Sequence, residues 1–236
     1  MPALRLPAWR YVQVLINSTG MEKRLFEEAF NDCLNRNFSK FSKYFDFQMH
    51  VFSELGTTIF EINKCQILEF HKASITLTNN VLERLLKLAL IYNETGIGGK
   101  PIGQWNKIFE GPNKKYGSLS LYNSIESCFN QNLINDKEKV FLNNIIRELM
   151  RNGFSHADSS KILSNLPDKT IMFQGSFNKP SELKEVEVNQ KIIPPLQAIQ
   201  IENFAKETST PYFNYVFDLI FRIESRLIEK KEKTCT

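Results

Sequence analysis

The sequence has few of the features that would assign it directly to a class of protein. No apolar run approaches the ~18 residues that a membrane-spanning helix requires. The four cysteines, Cys33, Cys65, Cys128 and Cys235, lie far apart and show no CxxC spacing. Because residues 1–20 lack the continuous apolar stretch of a secretory leader, we expect reduced thiols in a cytoplasmic protein with no membrane partner. The net charge of +4 is compatible with nucleic-acid contact but does not require it.

Motifs for phosphate loops and metals are also scarce. Residues 96–100 (GIGGK) are only superficially similar to a phosphate-binding loop, because the spacer between the glycines is missing and Pro101 replaces the required Ser or Thr. We interpret them as a flexible loop. His50 and His71 fall in predicted helical segments without partners at ligand spacing. The sequence therefore predicts neither a metal site nor a cofactor.

Apolar residues, by contrast, are abundant enough for a real core. They make up 42% of the chain and include nineteen Phe, which argues against wholesale disorder. From Met21 onward they recur at three- and four-residue spacing, which predicts an all-α protein. We divide the chain into an N-terminal extension (1–20, a short strand or disordered), a helical domain (21–165), and a loop with C-terminal helices that pack on the bundle (166–236).

Local signals assign several further segments. Residues 93–117 are rich in Gly and Pro, so we predict a loop there, interrupted by one short helix at 104–109. Asp136 is expected to cap the helix that follows it. The remaining assignments are a short strand at 170–173, a charged loop at 180–188, and two helices at 194–206 and 212–229.

Residues 147–156 (RELMRNGFSH) carry the side chains with the most chemistry. Arg147 and Arg151 lie on one side of a helical wheel, opposite the face that we expect to meet the core. That core face is formed by Leu142, Ile145, Ile146 and Leu149. Gly153 is expected to end the helix, so that His156 turns back toward Arg151. This pairing would combine a guanidinium, which binds phosphate bidentately, with an imidazole, which moves protons near neutral pH.

Arg151 and Asn152, followed by His156 at the end of a helix, resemble the hallmark of the HEPN superfamily. The upstream residues 79–87 (NNVLERLLK) are similar to that superfamily's acidic-x-x-Leu-Lys pattern. The resemblance spans about residues 66–158. It implies a HEPN-like helical bundle that cleaves RNA without a metal, as a homodimer whose two motifs meet in one cleft. It also implies a setting in phage defence or a toxin–antitoxin system, with an antitoxin or another regulatory partner.

The expected chemistry uses the nucleophile that RNA carries itself, its 2′-hydroxyl. His156 is the candidate general acid and base, because an imidazole titrates near neutral pH. Arg151 would hold the scissile phosphate and stabilise the charge that develops on it, and Asn152 would orient the imidazole or a phosphate oxygen. In-line attack of the 2′-hydroxyl predicts a 2′,3′-cyclic phosphate and a 5′-hydroxyl as products.

Two further residues are candidates for a supporting role. Glu83 either pairs with Arg151 or Arg147 and holds the guanidinium in place, or is an ordinary exposed helix glutamate. Arg147 either adds a second phosphate contact or forms an ion pair along its own helix.

A second group of residues, in the predicted loop, combines positive charge with aromatic rings. Basic and aromatic side chains together hold single-stranded RNA by charge and stacking. The alternative is a surface loop that its aromatic residues attach to the core. The group consists of Lys107, Lys114 and Lys115 with Trp105, Phe109 and Tyr116.

Two other functions remain open for the whole chain. A non-catalytic helical module for RNA or nucleotide binding, or for dimerisation, would use the arginine face without cleaving. A regulatory adaptor between proteins would bind no RNA and show no salt-sensitive binding. Loss of cleavage on replacing His156 separates the nuclease from both.

Overall fold

The computed structural model describes residues 23–155, 162–164, 166–176 and 179–234, which form seven α-helices, one π-helix, three short 3₁₀-helices and one β-hairpin. The predicted all-α class is confirmed, because the hairpin is the one sheet in these residues. The helices are α1 (Lys23–Phe41), α2 (Gly56–Ile67), α3 (His71–Thr95), α4 (Trp105–Tyr116), α5 (Leu121–Asn130), α6 (Asp136–Phe141), the π-helix (Leu142–Ser155) and α7 (Pro194–Thr234). The strands are β1 (Lys169–Ser176) and β2 (Lys179–Asn189).

The core is centred on α3 and α7, which pack against each other more extensively than any other two helices of the described chain. α3 is buried on most of its sides, as its dense apolar sequence predicts. α7 contributes Phe213, Val216 and Ile220, each at most 1% exposed. A polar contact fixes how the two helices meet: Nδ1 of His71 lies 2.9 Å from the hydroxyl oxygen of the buried Ser209. Among the described helices, none has the length and apolar character needed to cross a membrane.

α7 is one helix, and the prediction of two helices at 194–206 and 212–229 is wrong. Pro211, which lacks the N–H that an interior helical residue donates, lies inside it. Its neighbours explain why the helix continues, because Ser209, Tyr212 and Phe213 are all buried against the core. Tertiary packing outweighs the local cost of one proline here.

The hairpin corrects a second local assignment. Residues 180–188, predicted to be a loop, belong to β2, which pairs antiparallel with β1. Pairing with the apolar β1 explains the strand. Val186 and Val188 lie opposite Met172 and Thr170, and Lys169 forms a 2.7 Å ion pair with Glu187 across the strands. Of the charges that suggested a loop, Lys184, Glu185 and Glu187 are exposed, whereas Val186 and Val188 are half-buried.

α4 occupies 12 of the 25 residues at 93–117, where a loop with one short helix was predicted. It extends well past the short helix expected at 104–109 and includes Pro112. Trp105, Phe109, Pro112 and Tyr116 recur at helical spacing, and the burial of Pro112 and Tyr116 against the core stabilises the helix despite its Gly and Pro content.

Glu138 attaches α7 to the start of α6. The N-cap of α6 is Asn135 rather than the predicted Asp136, and Asn135 and Glu138 form a reciprocal capping box. The Glu138 side chain is only 7% exposed. It accepts hydrogen bonds at 2.7 Å from Nε of Arg222 and at 2.8 Å from Arg226. This cluster therefore joins a helix cap to two arginines of α7.

Candidate functional site

The π-helix carries the Arg-Asn part of the sequence motif. Its buried side chains, Leu142, Ile146 and Met150, recur at every fourth residue, which suits the wider turn of i→i+5 hydrogen bonding. The α-helical wheel therefore misplaced Ile145, which was expected in the core but is 40% exposed. Widened turns of this kind occur often at functional sites.

Gly153 does not end the helix, contrary to the sequence-based prediction. The helical backbone continues through Ser155. The physical reason is the next side chain: the ring of Phe154 packs against the core and stacks on Phe204 of α7, with ring centroids 6.3 Å apart. The arginine and the asparagine of the motif thus lie in the last turn of a helix that α7 holds in place.

Asn79 connects the two segments that carry the resemblance. Its side-chain amide donates a 3.0 Å hydrogen bond to the carbonyl oxygen of Met150, the residue before Arg151. Its own carbonyl oxygen accepts a 2.6 Å hydrogen bond from the hydroxyl of Tyr212. Asn79 and Tyr212 are 4% and 3% exposed, so both bonds lie in the interior. α3, α7 and the last turns of the π-helix are therefore joined through one asparagine.

Glu83 lies one turn after Asn79 on the same face of α3 and is half-buried. Burial, with the nearby Glu83 carboxylate as the next cause, raises the pKa of Tyr212 well above its usual range. The Tyr212 hydroxyl therefore stays protonated and acts as a donor to Asn79. Glu83 is within electrostatic reach of the junction between the helices, and its predicted pairing with Arg151 or Arg147 stays a prediction.

Arg147 is held by its neighbours on the surface of the bundle. One guanidinium nitrogen lies 2.8 Å from the carboxylate of Glu148, and the guanidinium carbon lies 5.2 Å from the ring centroid of Tyr122 on α5. Of the two roles that the sequence left open for Arg147, the ion pair along the helix is present, and the contact to a phosphate stays a prediction. Arg147 thus helps to attach the π-helix to α5.

The structure describes the remaining motif residues only in part. Arg151 and Asn152 are described as backbone in the π-helix, but their side chains and the whole of His156 lie outside the described residues. Within those residues, no group of three or more His, Cys, Asp and Glu side chains could hold a metal ion.

Of the other two histidines, His50 lies in a loop rather than the predicted helix. Its backbone N–H donates a 2.7 Å hydrogen bond to buried Glu224.

The predicted RNA-binding lysines lie at the far end of α3. Lys115 forms a 2.7 Å ion pair with Glu94, which is fifteen residues after Asn79 along that helix. At 1.5 Å per residue this places them about 22 Å from the Asn79 junction along the helix axis. Lys107 and Lys114 are exposed on the outer face of α4. An RNA that contacted both regions would have to extend along the length of α3.

Tyr212 is the residue that sequence reasoning missed. No local pattern of residues predicts this contact, because Tyr212 lies 133 residues from Asn79 along the chain. The asparagine was part of the quoted upstream pattern, but the pattern emphasised the glutamate and lysine that follow it. A buried tyrosine usually has a hydrogen-bond partner, which is the one general rule that points toward such a contact.

We expect Asn79→Leu to lower the free energy of unfolding by about 1–3 kcal/mol, because it leaves the Tyr212 hydroxyl buried without an acceptor. Tyr212→Phe, which leaves the Asn79 bond to Met150 in place, should cost about 1 kcal/mol. Urea denaturation of both variants measures the difference. Equal destabilisation by the two would show that Asn79 does not hold the π-helix.

No protein-family model matches the chain, and searches of curated proteins and of solved structures each returned no match. The HEPN resemblance therefore depends on the residues of the chain itself.

Proposed function

We propose that this protein is a HEPN-type endoribonuclease that cleaves RNA without a metal, by attack of the 2′-hydroxyl on the adjacent phosphorus. The observation that carries the proposal is the hydrogen bond from Asn79 to the carbonyl of Met150. It joins the helix with the acidic-x-x-Leu-Lys pattern to the helix with the Arg-Asn pattern, at the residue before Arg151. This contact places the two motif-bearing helices side by side, as the proposed site requires.

In the proposed mechanism, His156 moves the proton of the 2′-hydroxyl, and Arg151 binds the phosphoryl oxygens on which charge develops. Asn152 orients the imidazole or a phosphate oxygen. Glu83 acts as a positioning residue for the guanidinium, on the face of α3 that Asn79 directs to the π-helix. Arg147 keeps the π-helix against α5 through Tyr122, and a second phosphate contact from its guanidinium remains part of the proposal.

A homodimer is part of the proposal, because one histidine per protomer leaves the acid and base roles to two copies. Apolar surface on the motif's own helical segment supports it. Val140 and Ile145 are 56% and 40% exposed, and Phe141 is 36% exposed beside them. Exposed apolar patches of this kind mark interaction sites, and a two-fold contact here would bring the two π-helices together.

The proposed setting is the cytoplasm, in phage defence or a toxin–antitoxin system, as the resemblance implies. A nuclease of this kind needs restraint between uses. An antitoxin or an activating signal is therefore included as a partner.

The direct test is an assay of the purified protein on single-stranded RNA with and without EDTA. We expect cleavage in both, with 2′,3′-cyclic phosphate ends, and no cleavage of the 2′-O-methyl analogue, which lacks a free nucleophile. Sedimentation velocity on the same sample is expected to show a dimer. Cleavage that EDTA abolishes, or cleavage of the 2′-O-methyl analogue, would contradict the mechanism. Absence of any cleavage favours the non-catalytic binding module.

A further inference from the structure

The β-hairpin is joined to the helices at its base. Buried Gln190, just after β2, donates a 2.8 Å hydrogen bond to the carbonyl oxygen of Pro167 and accepts one of 3.0 Å from Gln200 of α7. Beyond this base, and among the described residues, no third strand pairs with the hairpin and neither strand packs extensively against a helix. A two-stranded hairpin on its own is at best marginally stable in water. We therefore expect a further partner along the strands.

The two open edges of the hairpin differ in charge. Charged side chains on an edge strand oppose its pairing with another strand. Three charged residues of β2 are exposed, namely Lys184, Glu185 and Glu187. β1, by contrast, has no charged residue from Thr170 to Ser176, and its Ile171 and Met172 are 62% and 44% exposed. The edge of β1 is therefore the one that stays open to a further strand.

A second copy of β1 suits this edge. In an antiparallel pair of two β1 strands, uncharged residues lie opposite uncharged residues throughout 170–174, so no like charges oppose each other. The four strands then have the order β2–β1–β1–β2, with a charged strand at each outer edge that prevents further addition. A single foreign strand would protect its own outer edge only if that edge were charged as well. Pairing about a two-fold axis thus closes the sheet with the residues of this chain alone.

The same pairing extends the apolar face of the sheet. Thr170 and Met172 share one face with Val188 and Val186, which lie opposite them in the β1–β2 register. A two-fold axis perpendicular to the sheet keeps every side chain on its own face, so the apolar residues of the two copies would form one surface. Sheets of three or more strands with such a face are stable where two strands are not.

We propose that the edge of β1 is an interaction surface for a second copy of this chain, and that two hairpins form one four-stranded antiparallel sheet. This surface is formed by residues other than Val140, Phe141 and Ile145, on which the proposed nuclease dimer depends. Hairpin pairing requires neither that contact nor RNA cleavage.

Disulfide trapping tests the pairing in the full-length protein. The background is Cys65→Ser/Cys235→Ser, in which the two remaining cysteines, Cys33 and Cys128, are buried. Residues 170–174 are replaced by cysteine one at a time, and oxidised dimers are separated on a non-reducing gel. Residues directly opposite each other in antiparallel strands have Cα atoms about 4.5–5.5 Å apart, which a disulfide spans. Since only one residue of a symmetric pair lies opposite its own copy, we expect that position to cross-link about 10-fold faster than either neighbour.

β2 provides the matched control. In the order β2–β1–β1–β2 the two β2 strands are about 14 Å apart, which is three strand spacings. Glu185→Cys and Glu187→Cys should therefore not cross-link. Equal rates at all positions, or no dimer from any of residues 170–174, would overturn the proposal and leave the edge of β1 to a strand of another protein.

Sedimentation velocity supplies a second readout that needs no oxidation. Ile145→Lys is introduced first, because it disrupts the contact of the proposed nuclease dimer. This variant should still dimerise through β1. Adding Ile171→Lys, at an exposed side chain, should weaken its dimerisation about 10-fold or more, since the two-fold axis brings the like charges of both copies onto one edge. Adding Ile102→Lys instead, at a side chain that is 77% exposed outside the hairpin, should leave association unchanged.

The two dimer contacts can fail separately in this experiment. A monomeric Ile145→Lys protein would overturn hairpin pairing and support the contact at the π-helix. A dimer that survives in Ile145→Lys/Ile171→Lys with its parent affinity would also overturn hairpin pairing. Loss of RNA cleavage in any of these variants has no bearing on the cross-links, which are measured without RNA.

Discussion

His156→Ala is expected to slow RNA cleavage by ~10²–10⁴-fold, because the reaction loses the group that moves the proton of the 2′-hydroxyl. Arg151→Ala should produce a loss of ~10²–10³-fold through weaker stabilisation of the phosphoryl charge. Arg151→Lys is the more informative variant. A lysine keeps the charge but lacks the planar fork, so activity should stay well below that of the parent if the contact is bidentate. Single-turnover cleavage of a labelled RNA measures all three rates.

Matched controls for these variants exist in the described chain. His50→Ala removes an exposed loop histidine, and Arg24→Ala removes an exposed arginine whose ion pair with Glu28 is 3.5 Å long. Both are expected to cleave at the parent rate, because neither lies at the Asn79 junction. Full activity in His156→Ala with a dimer still present would rule out the assigned acid–base role. Equal activity of Arg151→Lys and the parent would show that the arginine acts only through its charge.

Replacing Glu138 by alanine is expected to lower the free energy of unfolding by about 3 kcal/mol, since breaking a buried ion pair leaves its partners without compensation. The estimate is at the low end of the usual range because Arg222 and Arg226 are 38% and 25% exposed and can regain water. The substitution also removes the reciprocal half of the capping box with Asn135. Chemical denaturation at neutral pH measures the change. Glu27→Ala, whose exposed pair with Lys23 is 3.3 Å long, is the control and should change stability by less than about 0.5 kcal/mol.

The Glu138 contribution has a defined dependence on pH. Burial alone would raise the pKa of Glu138, but hydrogen bonds from Arg226, the backbone of Asn135 and Arg222 outweigh it, and the pKa is lowered from the ordinary value of 4.5. A lowered pKa in the folded state means that the carboxylate stabilises the protein above pH 4.5. That contribution is lost as pH falls through the lowered value. The stability difference between the parent and Glu138→Ala should therefore be constant from pH 6 to 8 and shrink below about pH 4. A difference that grows on acidification would contradict the assignment.

The sequence predicted the class of fold because long helices carry a strong periodic signal. α3 is the clearest case: its apolar residues are so dense that a helix buried on most sides was the natural expectation, and twelve of its residues are buried. The failures have a common cause in tertiary contacts. α4 and the segment around Pro211 contain residues that disfavour helix locally, and packing against the core overrides that preference in both. β2 is a strand because β1 pairs with it, and the alternation of Glu and Val from Glu185 to Val188 is a strand signal that the number of charges concealed.

Part of the candidate site could likewise be predicted from the sequence, and part of it could not. The motif and the upstream pattern were visible as strings of residues, but the contact between them depends on an asparagine and a tyrosine 133 residues apart. The α-helical wheel assigned Ile145 to the core because it assumed 3.6 residues per turn, and the π-helix turns it outward. Ile145 is therefore part of the exposed apolar surface on which the proposed dimer contact depends.

α7 is long enough to connect the hairpin with the core, and it contains one internal proline. At 1.5 Å per residue the helix is about 61 Å long, and residues 194–204, nearest the hairpin, include no fully buried side chain. Pro211 removes one backbone hydrogen bond from the helix, but buried Ala205 and Ser209 precede it and buried Tyr212 follows it, so the core fixes this turn. α7 therefore reaches from the hairpin to the core as one element, and the turn with Tyr212, which bonds to Asn79, belongs to its buried part.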